Sequence, residues 1–294
     1  MSTQERHRAL VSRVRERKLT IVPGVFDMLS ARIADRSGFH ALYMTGYGIA
    51  ASHLGLPDAG LASYADMVDR ARTINAGTKT PLIADADTGF GGLLNVDHTV
   101  RGYEQAGVAA IQIEDQEFPK KCGHARGRQV IATGDMVKKI EVAVTARCNT
   151  DLLVIARTDA RTSLGLDEAI RRGQTYAEAG ADVVFIESPQ TEDEFKRIAN
   201  EVDAPLLANM VEGGFSPLLS ADQLETLGFA IALYPGTGLF AAAAALTSVY
   251  ASLHADGDGA SSSAALLKVG EMHSLMGFEE VWDFDERWAD RSEV

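Results

Sequence analysis

The sequence predicts a (β/α)8 barrel, and three observations carry that expectation. Eight short apolar, β-branched runs alternate with segments of helical spacing. Glycines punctuate the chain where helical segments give way to the next run. The residues that follow each run are polar or ionisable, while the runs themselves are apolar. The runs are Thr20–Val25, Ala41–Thr45, Pro81–Ala84, Ala109–Ile113, Leu152–Ala156, Asp182–Ile186, Pro205–Ala208 and Phe229–Leu233. Their nearly continuous hydrophobicity suits parallel strands buried on both faces. Between them, segments such as Leu166–Ala179 and Ser220–Leu227 have helical spacing, the second opening on Ser220 with Asp222 and Gln223 as a helix start. Gly38, Gly77, Gly107, Gly180 and Gly228 lie where a left-handed turn closes a helix. Eight such units favour a closed barrel over an open sheet. A flavodoxin-like sheet needs a glycine-rich nucleotide turn after its first strand, and Pro23-Gly24-Val25-Phe26-Asp27 is not one.

The C-terminal part differs. Residues 1–255 read as the barrel, and residues 256–294 as a linker with a helical extension. The linker is Asp256-Gly257-Asp258-Gly259-Ala260-Ser261-Ser262-Ser263, followed by a helix over about Ala264–Met276 and an aromatic segment from Phe278 to Trp288. That extension packs on its own barrel or on a neighbouring subunit.

Composition narrows the class. The chain has 294 residues, 46% hydrophobic and 23% charged, enough for one large α/β domain. A formal net charge of −13 argues against nucleic-acid binding. No signal peptide is evident, and no apolar run approaches the roughly 20 residues of a membrane helix; the alanine-rich run from Leu239 to Leu246 reads as a packed helix. Two cysteines make no framework, so a reduced, cytoplasmic protein without a membrane partner is the expectation.

Barrel active sites lie at the C-terminal ends of the strands. Those ends deliver Asp27; Tyr43, Thr45, Gly46 and Tyr47; Asp85 and Asp87; Glu114 and Asp115; Arg157 and Asp159; Glu187; Asn209 and Glu212; Tyr234 and Pro235. Their convergence on one rim argues for an enzyme. Asp85 and Asp87, two apart on a strand, point the same way. Their hard oxygens suit Mg2+ or Mn2+, which keep several waters, and Glu114 on the next strand is placed to hold one of them.

Cys122 sits in a long charged segment after the fourth strand, between Lys120, Lys121 and His124. Such segments are often lids. The basic neighbours favour thiolate and a nearby carboxylate opposes it, which leaves the resting state open. Cys148, after a helix, reads as structural. Arg157 and Arg161 either fork onto a substrate carboxylate or pair with Glu187 or Asp159. Tyr43 is either a phenolic acid/base or a packed tyrosine. His53, His98 and His273 lack matched partners.

From about Val22 to Tyr234 the chain resembles the isocitrate lyase/phosphoenolpyruvate mutase superfamily. The resemblance rests on Tyr43-Met44-Thr45-Gly46-Tyr47-Gly48, Leu54-Gly55-Leu56-Pro57-Asp58, Asp85-Ala86-Asp87-Thr88-Gly89, Glu114-Asp115-Gln116, Lys120-Lys121-Cys122-Gly123-His124 and Ala156-Arg157-Thr158-Asp159-Ala160. The cysteine motif marks the lyase branch. The resemblance implies Mg2+ on Asp85 and Asp87, with Asp58 and Glu114 reaching it through water. It implies substrate contacts from Thr45, Gly46, Tyr47, Asp58, Gly123, Arg157, Glu187 and Asn209. It also implies a catalytic group of Cys122, Tyr43, Lys120, His124, Glu114 and Arg157, with Cys122 as proton donor and Tyr43 as candidate base. Members are homotetramers that exchange the last barrel helix. Methylisocitrate lyases carry an arginine shortly after the eighth strand's Tyr-Pro. Here Tyr234-Pro235-Gly236-Thr237-Gly238-Leu239-Phe240-Ala241 has none, and Tyr47 replaces a glycine. Asn209-Met210-Val211-Glu212-Gly213-Gly214 is similar to the dimethylmalate lyase, petal-death protein and oxaloacetate acetylhydrolase group. The expected substrate is therefore a 2-alkyl- or 2,3-dialkylmalate dicarboxylate cleaved to a 2-oxo acid and a short carboxylate. A hydrolase acting on oxaloacetate, a methylisocitrate lyase, a phosphonate mutase and a noncatalytic barrel are the alternatives.

Overall fold

A computed structural model describes residues 3–259 and 262–289. Ala260 and Ser261 of the expected linker lie outside the described residues. The eight strands are β1 (Thr20–Val25), β2 (Leu42–Met44), β3 (Leu82–Asp85), β4 (Ala110–Glu114), β5 (Leu153–Thr158), β6 (Val183–Ile186), β7 (Leu206–Asn209) and β8 (Ile231–Tyr234). All pair in parallel in the order of the chain, and β8 returns to β1 to close the barrel. Each expected run contains a strand, and the sequence-drawn ends differ by a residue or two.

The helices that precede or follow these strands are α1 (Thr3–Arg15), α2 (Met28–Arg36), the short α3 (Gly46–Ile49), α4 (Tyr64–Gly77), α5 (Leu93–Gln105), α6 (Thr133–Ala146), α7 (Ala160–Leu164), α8 (Leu166–Glu178), α9 (Glu192–Glu201) and α10 (Ala221–Thr226). Inward-facing strand residues such as Val22, Ile83, Ala110, Ile155, Val183 and Ile231 form one buried cluster. Leu10, Val11 and Val14 of α1 join it beside Ala41, Ala109 and Ala230, which precede their strands. The N-terminal mouth of the barrel is thereby filled, and the opposite mouth is left for chemistry.

Gly38, Gly107, Gly180 and Gly228 adopt the expected left-handed φ, between 82° and 101°. Gly77 does not: it ends α4, and Met28 Cε lies where a Cβ would stand. At that glycine α2 and α4 pack closely, and a side chain there would need only the flexible end of Met28 to move.

Two compact units are present, Met1–Leu239 and Phe240–Val294. Helix α11 (Thr237–Asp256) spans the division between these two units. The second unit also holds α12 (Val269–Met276) and α13 (Phe278–Ala289). The expected helix over Ala264–Met276 begins only at Val269, after residues 264–268 without regular structure. The reading of Leu239–Leu246 as a packed helix also changes. No residue of α11 is buried. By length and composition α11 is apolar enough to cross a membrane, with a mean hydropathy of 1.3, so the expectation of no such run does not hold.

Candidate active site

The strand ends sort the expected residues into those that meet and those that do not. Asp27 caps α2, accepting from Ser30 N at 2.7 Å, and is spent on the helix end. Arg161 is forked onto Glu194 of α9. His53 lies 3.8 Å from Asp66, and the rings of His98 and His273 pack at a tilt against those of Tyr64 and Phe278. Cys148, expected to be structural, is exposed, with its Sγ 4.0 Å from Arg101 Nη1. Asp115 is a buried brace: it accepts from Thr158 Oγ1, Asp159 N, Arg172 Nη1 and Tyr176 Oη, at 2.7 to 2.9 Å. It fixes the end of β5 to α8 and so sets where Arg157 and Asp159 stand.

The acidic half of the site gathers around Lys120. β3 ends at Asp85, and Asp87 has a left-handed φ of 47°, so simple strand alternation does not align the two carboxylates. They still meet at one place: a Cβ on Gly46 would stand 2.5 Å from Asp85 Oδ2 and 3.5 Å from Asp87 Oδ1. Asp85 accepts from Gly46 N at 3.2 Å and Asp87 N at 3.0 Å. Thr45 holds Gly46 in this position by capping α3. Lys120 Nζ bridges Asp58 Oδ1 at 2.5 Å and Asp87 Oδ1 at 2.8 Å. Burial opposes the charge on Lys120, but Asp87, Asp85 and Asp58 outweigh it and keep the ammonium protonated. Burial also pushes Asp87 up to about 7, with Lys120 opposing and Asp85 and Asp58 adding to the rise.

This donor set fits a divalent cation. Asp87 Oδ1, despite its nearness to Lys120, lacks a well-directed donor, and Glu114 Oε1 has none. Buried carboxylate oxygens are costly in that state. Among the described residues no three acidic, histidine or cysteine side chains converge as a ready set of direct ligands. Two carboxylates with the remaining positions left to water and substrate is the arrangement Mg2+ tolerates.

The cationic half centres on Arg157. Its Nε and Nη2 each lie 2.9 Å from Asp159, Nε lies 3.3 Å from Glu114, and Nη2 lies 3.2 Å from Glu187. The guanidinium also covers the Phe185 ring at 5.0 Å. Glu187 in turn accepts from Asn209 Nδ2 at 3.0 Å and Ser188 Oγ at 3.1 Å, while Asn209 Oδ1 is buried without a partner. Gly123 brings the cysteine loop against this group, where a Cβ would stand 2.5 Å from Arg157 Nη2 and 2.6 Å from Glu187 Oε2.

The loop's lysines do not face the thiol, contrary to the reading that they favour thiolate. Lys120 is committed to the acidic pocket, and Lys121 Nζ donates to the Gly127 carbonyl at 3.1 Å. Cys122 is half-buried, and its N–H donates to the Asp58 carbonyl at 3.0 Å. Burial raises its pKa above the usual thiol value; the His124 backbone opposes and Asp58 adds to the rise. The resting group is therefore a thiol. His124 is held neutral mainly by burial. Its Nδ1 accepts from Phe215 N at 3.1 Å, and Nε2 lies 3.8 Å from Glu187. Tyr43, inside the barrel, is kept phenolic by burial and by Asp85. Tyr47 is 43% exposed.

Ser188 and Arg128 of this group were missed by the sequence reading. Arg128, at the far end of the cysteine loop, is buried and pairs with Asp159. An arginine in a charged loop carries no local sign that its partner lies 31 residues away.

The closed parallel barrel thus carries an acidic pocket around Lys120 and an arginine-centred group at its C-terminal strand ends, the mouth where barrel enzymes do their chemistry. The phosphoenolpyruvate phosphomutase family model matches residues 11–254, and the chain belongs to the phosphoenolpyruvate mutase/isocitrate lyase superfamily. A 2,3-dimethylmalate lyase of Eubacterium barkeri is 47% identical, covering 98% of this chain and 99% of its own. A 2-methylisocitrate lyase of Aeropyrum pernix is 42% identical over 95% of this chain and 89% of its own. The structure of an oxaloacetate acetylhydrolase in complex with 3,3-difluorooxalacetate superimposes with a TM-score of 0.91 at 34% identity, covering 98% of each chain.

Proposed function

We propose that this protein is a Mg2+-dependent carbon–carbon lyase that cleaves a 2-alkyl- or 2,3-dialkylmalate, such as 2,3-dimethylmalate, to pyruvate and a short carboxylate. The observation that carries the reading is the half-buried Cys122, whose thiol pKa is raised by burial, on a loop whose next residue packs on Arg157 and Glu187. Asp85 and Asp87 would hold the cation, with Asp58 and Glu114 reaching it through water. When bound, it supplies positive charge that acidifies nearby oxygens and stabilises charge developing on the substrate.

Arg157 binds a substrate carboxylate, with Thr45, Gly46, Tyr47 and Asn209 shaping the pocket around it. Tyr43 is the candidate base for the 2-hydroxyl proton; it is phenolic in the resting site, and this role needs the phenolate that a bound cation would favour. As that proton leaves, the C2–C3 bond breaks, C2 becomes a carbonyl, and the bonding pair passes to C3 as a carboxylate enediolate. Cys122 gives its proton to C3, which yields propionate from the dimethyl substrate. Lys120 holds the acidic pocket together, and neutral His124 and Glu187 keep the loop against Arg157. The thiol rather than the thiolate is the form this step needs.

The ending of the eighth strand supports an alkylmalate over a tricarboxylate. No arginine is present there, and Thr237 instead donates to Glu212 at 2.6 Å. An acidic group in that place opposes an additional carboxylate. Pyruvate release from 2,3-dimethylmalate tests the reading; good turnover of methylisocitrate with none of any alkylmalate would overturn it. The likeness to an oxaloacetate acetylhydrolase supports a second reading, and oxalate release from oxaloacetate, without alkylmalate cleavage, decides for it. We also propose a cytoplasmic homotetramer. The oligomer is supported by the exposed apolar surface of the C-terminal unit, including Tyr250, Val281, Trp282, Phe284 and Trp288, and the location by two free cysteines.

A further inference from the structure

We propose that Arg128 is a positioning residue that ties the cysteine loop to the substrate-binding guanidinium through the single carboxylate of Asp159. This deepens the lyase reading and rests on its roles for Cys122 and Arg157. The connection is continuous. Ala125 N donates to the Cys122 carbonyl at 2.8 Å, and the Ala125 carbonyl accepts from Arg128 Nε at 3.3 Å. Arg128 Nη1 pairs with Asp159 Oδ1, and Nη2 donates to Thr162 Oγ1 at 2.7 Å. The same Asp159 takes both Nε and Nη2 of Arg157 at 2.9 Å. Asp159 is a fixed point, because its N–H is held by the Asp115 brace at 2.9 Å.

Charge gives the connection its direction. Arg157 faces three carboxylates, Glu114, Asp159 and Glu187. Arg128 supplies a second cation to this buried group, with its side chain only 1% exposed. While it is in place, part of the pull of Asp159 is spent on the loop, and Arg157 is freer to meet a substrate carboxylate. Without it, Asp159 bears on Arg157 alone, and the turn carrying Cys122 loses its anchor. Binding and proton delivery are thus set by one contact.

The test uses the full chain with Cys148→Ser, so that Cys122 is the single reporting thiol. Arg128→Ala is expected to lower kcat/KM on 2,3-dimethylmalate about 100-fold, through both KM and kcat. In an Asp159→Asn background the same change should cost no more than about twofold, since both residues act on one link. Alkylation of Cys122 by iodoacetamide should rise about tenfold or more in Arg128→Ala. Arg128→Lys should fall between the two and carries the same measurements if the alanine variant does not fold. Equal losses in both backgrounds, or unchanged alkylation, would overturn the proposal. Alkylation needs no substrate, so it decides the role of Arg128 even where the alkylmalate reading fails by lack of turnover in the parent protein.

Discussion

Gly123→Ala places a methyl group where the structure has no room for one. The added Cβ would stand 2.5 Å from Arg157 Nη2, 2.6 Å from Glu187 Oε2 and 2.8 Å from Glu187 Cδ. Ordinary contact begins at about 3.4 Å, so a movement of about 0.9 Å is required. The flexible ends of exposed side chains give way at small cost. These do not: Glu187 is fully buried and tied to Asn209 and Ser188, and Arg157 is forked onto Asp159. The loop must therefore lift, carrying Cys122 away from the group it is to protonate. A displacement near 1 Å costs about 100-fold in rate, which is about 2.7 kcal/mol of barrier. Gly123 does not have a left-handed φ, so backbone strain adds nothing and the effect is steric. Gly134→Ala, with nothing within 4 Å of its Cβ, is the control. It should keep full activity and change stability by less than about 0.5 kcal/mol, since it sits in the first turn of α6. Steady-state kinetics with thermal unfolding on both variants checks this. Wild-type kcat/KM in Gly123→Ala would refute the packed loop as the working conformation.

The proton-donor role predicts that Cys122→Ser loses about 10²–10⁴-fold in kcat while remaining folded; full activity in the serine variant removes the role. Because the folded thiol's pKa is raised, the protonated form persists through neutral pH and is lost only as pH climbs through that raised value. Iodoacetamide should accordingly modify Cys122 slowly at pH 7 and faster only on the alkaline side, and rapid alkylation at neutral pH contradicts the burial argument. Asp115→Ala leaves Arg172 without one of its two carboxylates and frees the end of β5, so urea unfolding should show a loss of about 3 kcal/mol; a change below about 1 kcal/mol would show that the brace is dispensable. Exhaustive chelation should abolish turnover and added Mg2+ should restore it, whereas activity that survives chelation argues against a cation at Asp85 and Asp87.

The barrel was legible because its strands are buried on both faces. Such strands need no alternation, so they stand out as continuous apolar runs between helical segments, and only their ends blur. The polar rim was legible for the same reason: Asp85, Glu114, Arg157, Glu187 and Asn209 stand at or beside the ends of runs that are otherwise apolar. What the sequence could not supply was the pairing of charges across the barrel. Lys120 and Lys121 stand beside Cys122 in the chain, yet one is drawn 62 residues back to Asp58 and the other turns to a backbone carbonyl. Arg157 and Arg161 looked interchangeable, and folding gave the first to the site and the second to α9. Order along the chain sets which residues reach the rim, because each strand ends there. Which of them meet depends on closure of the sheet and on side chains reaching across loops. Closure turns charges tens of residues apart into contacts of about 3 Å, and the burial it brings to the same rim raises the pKa of Cys122.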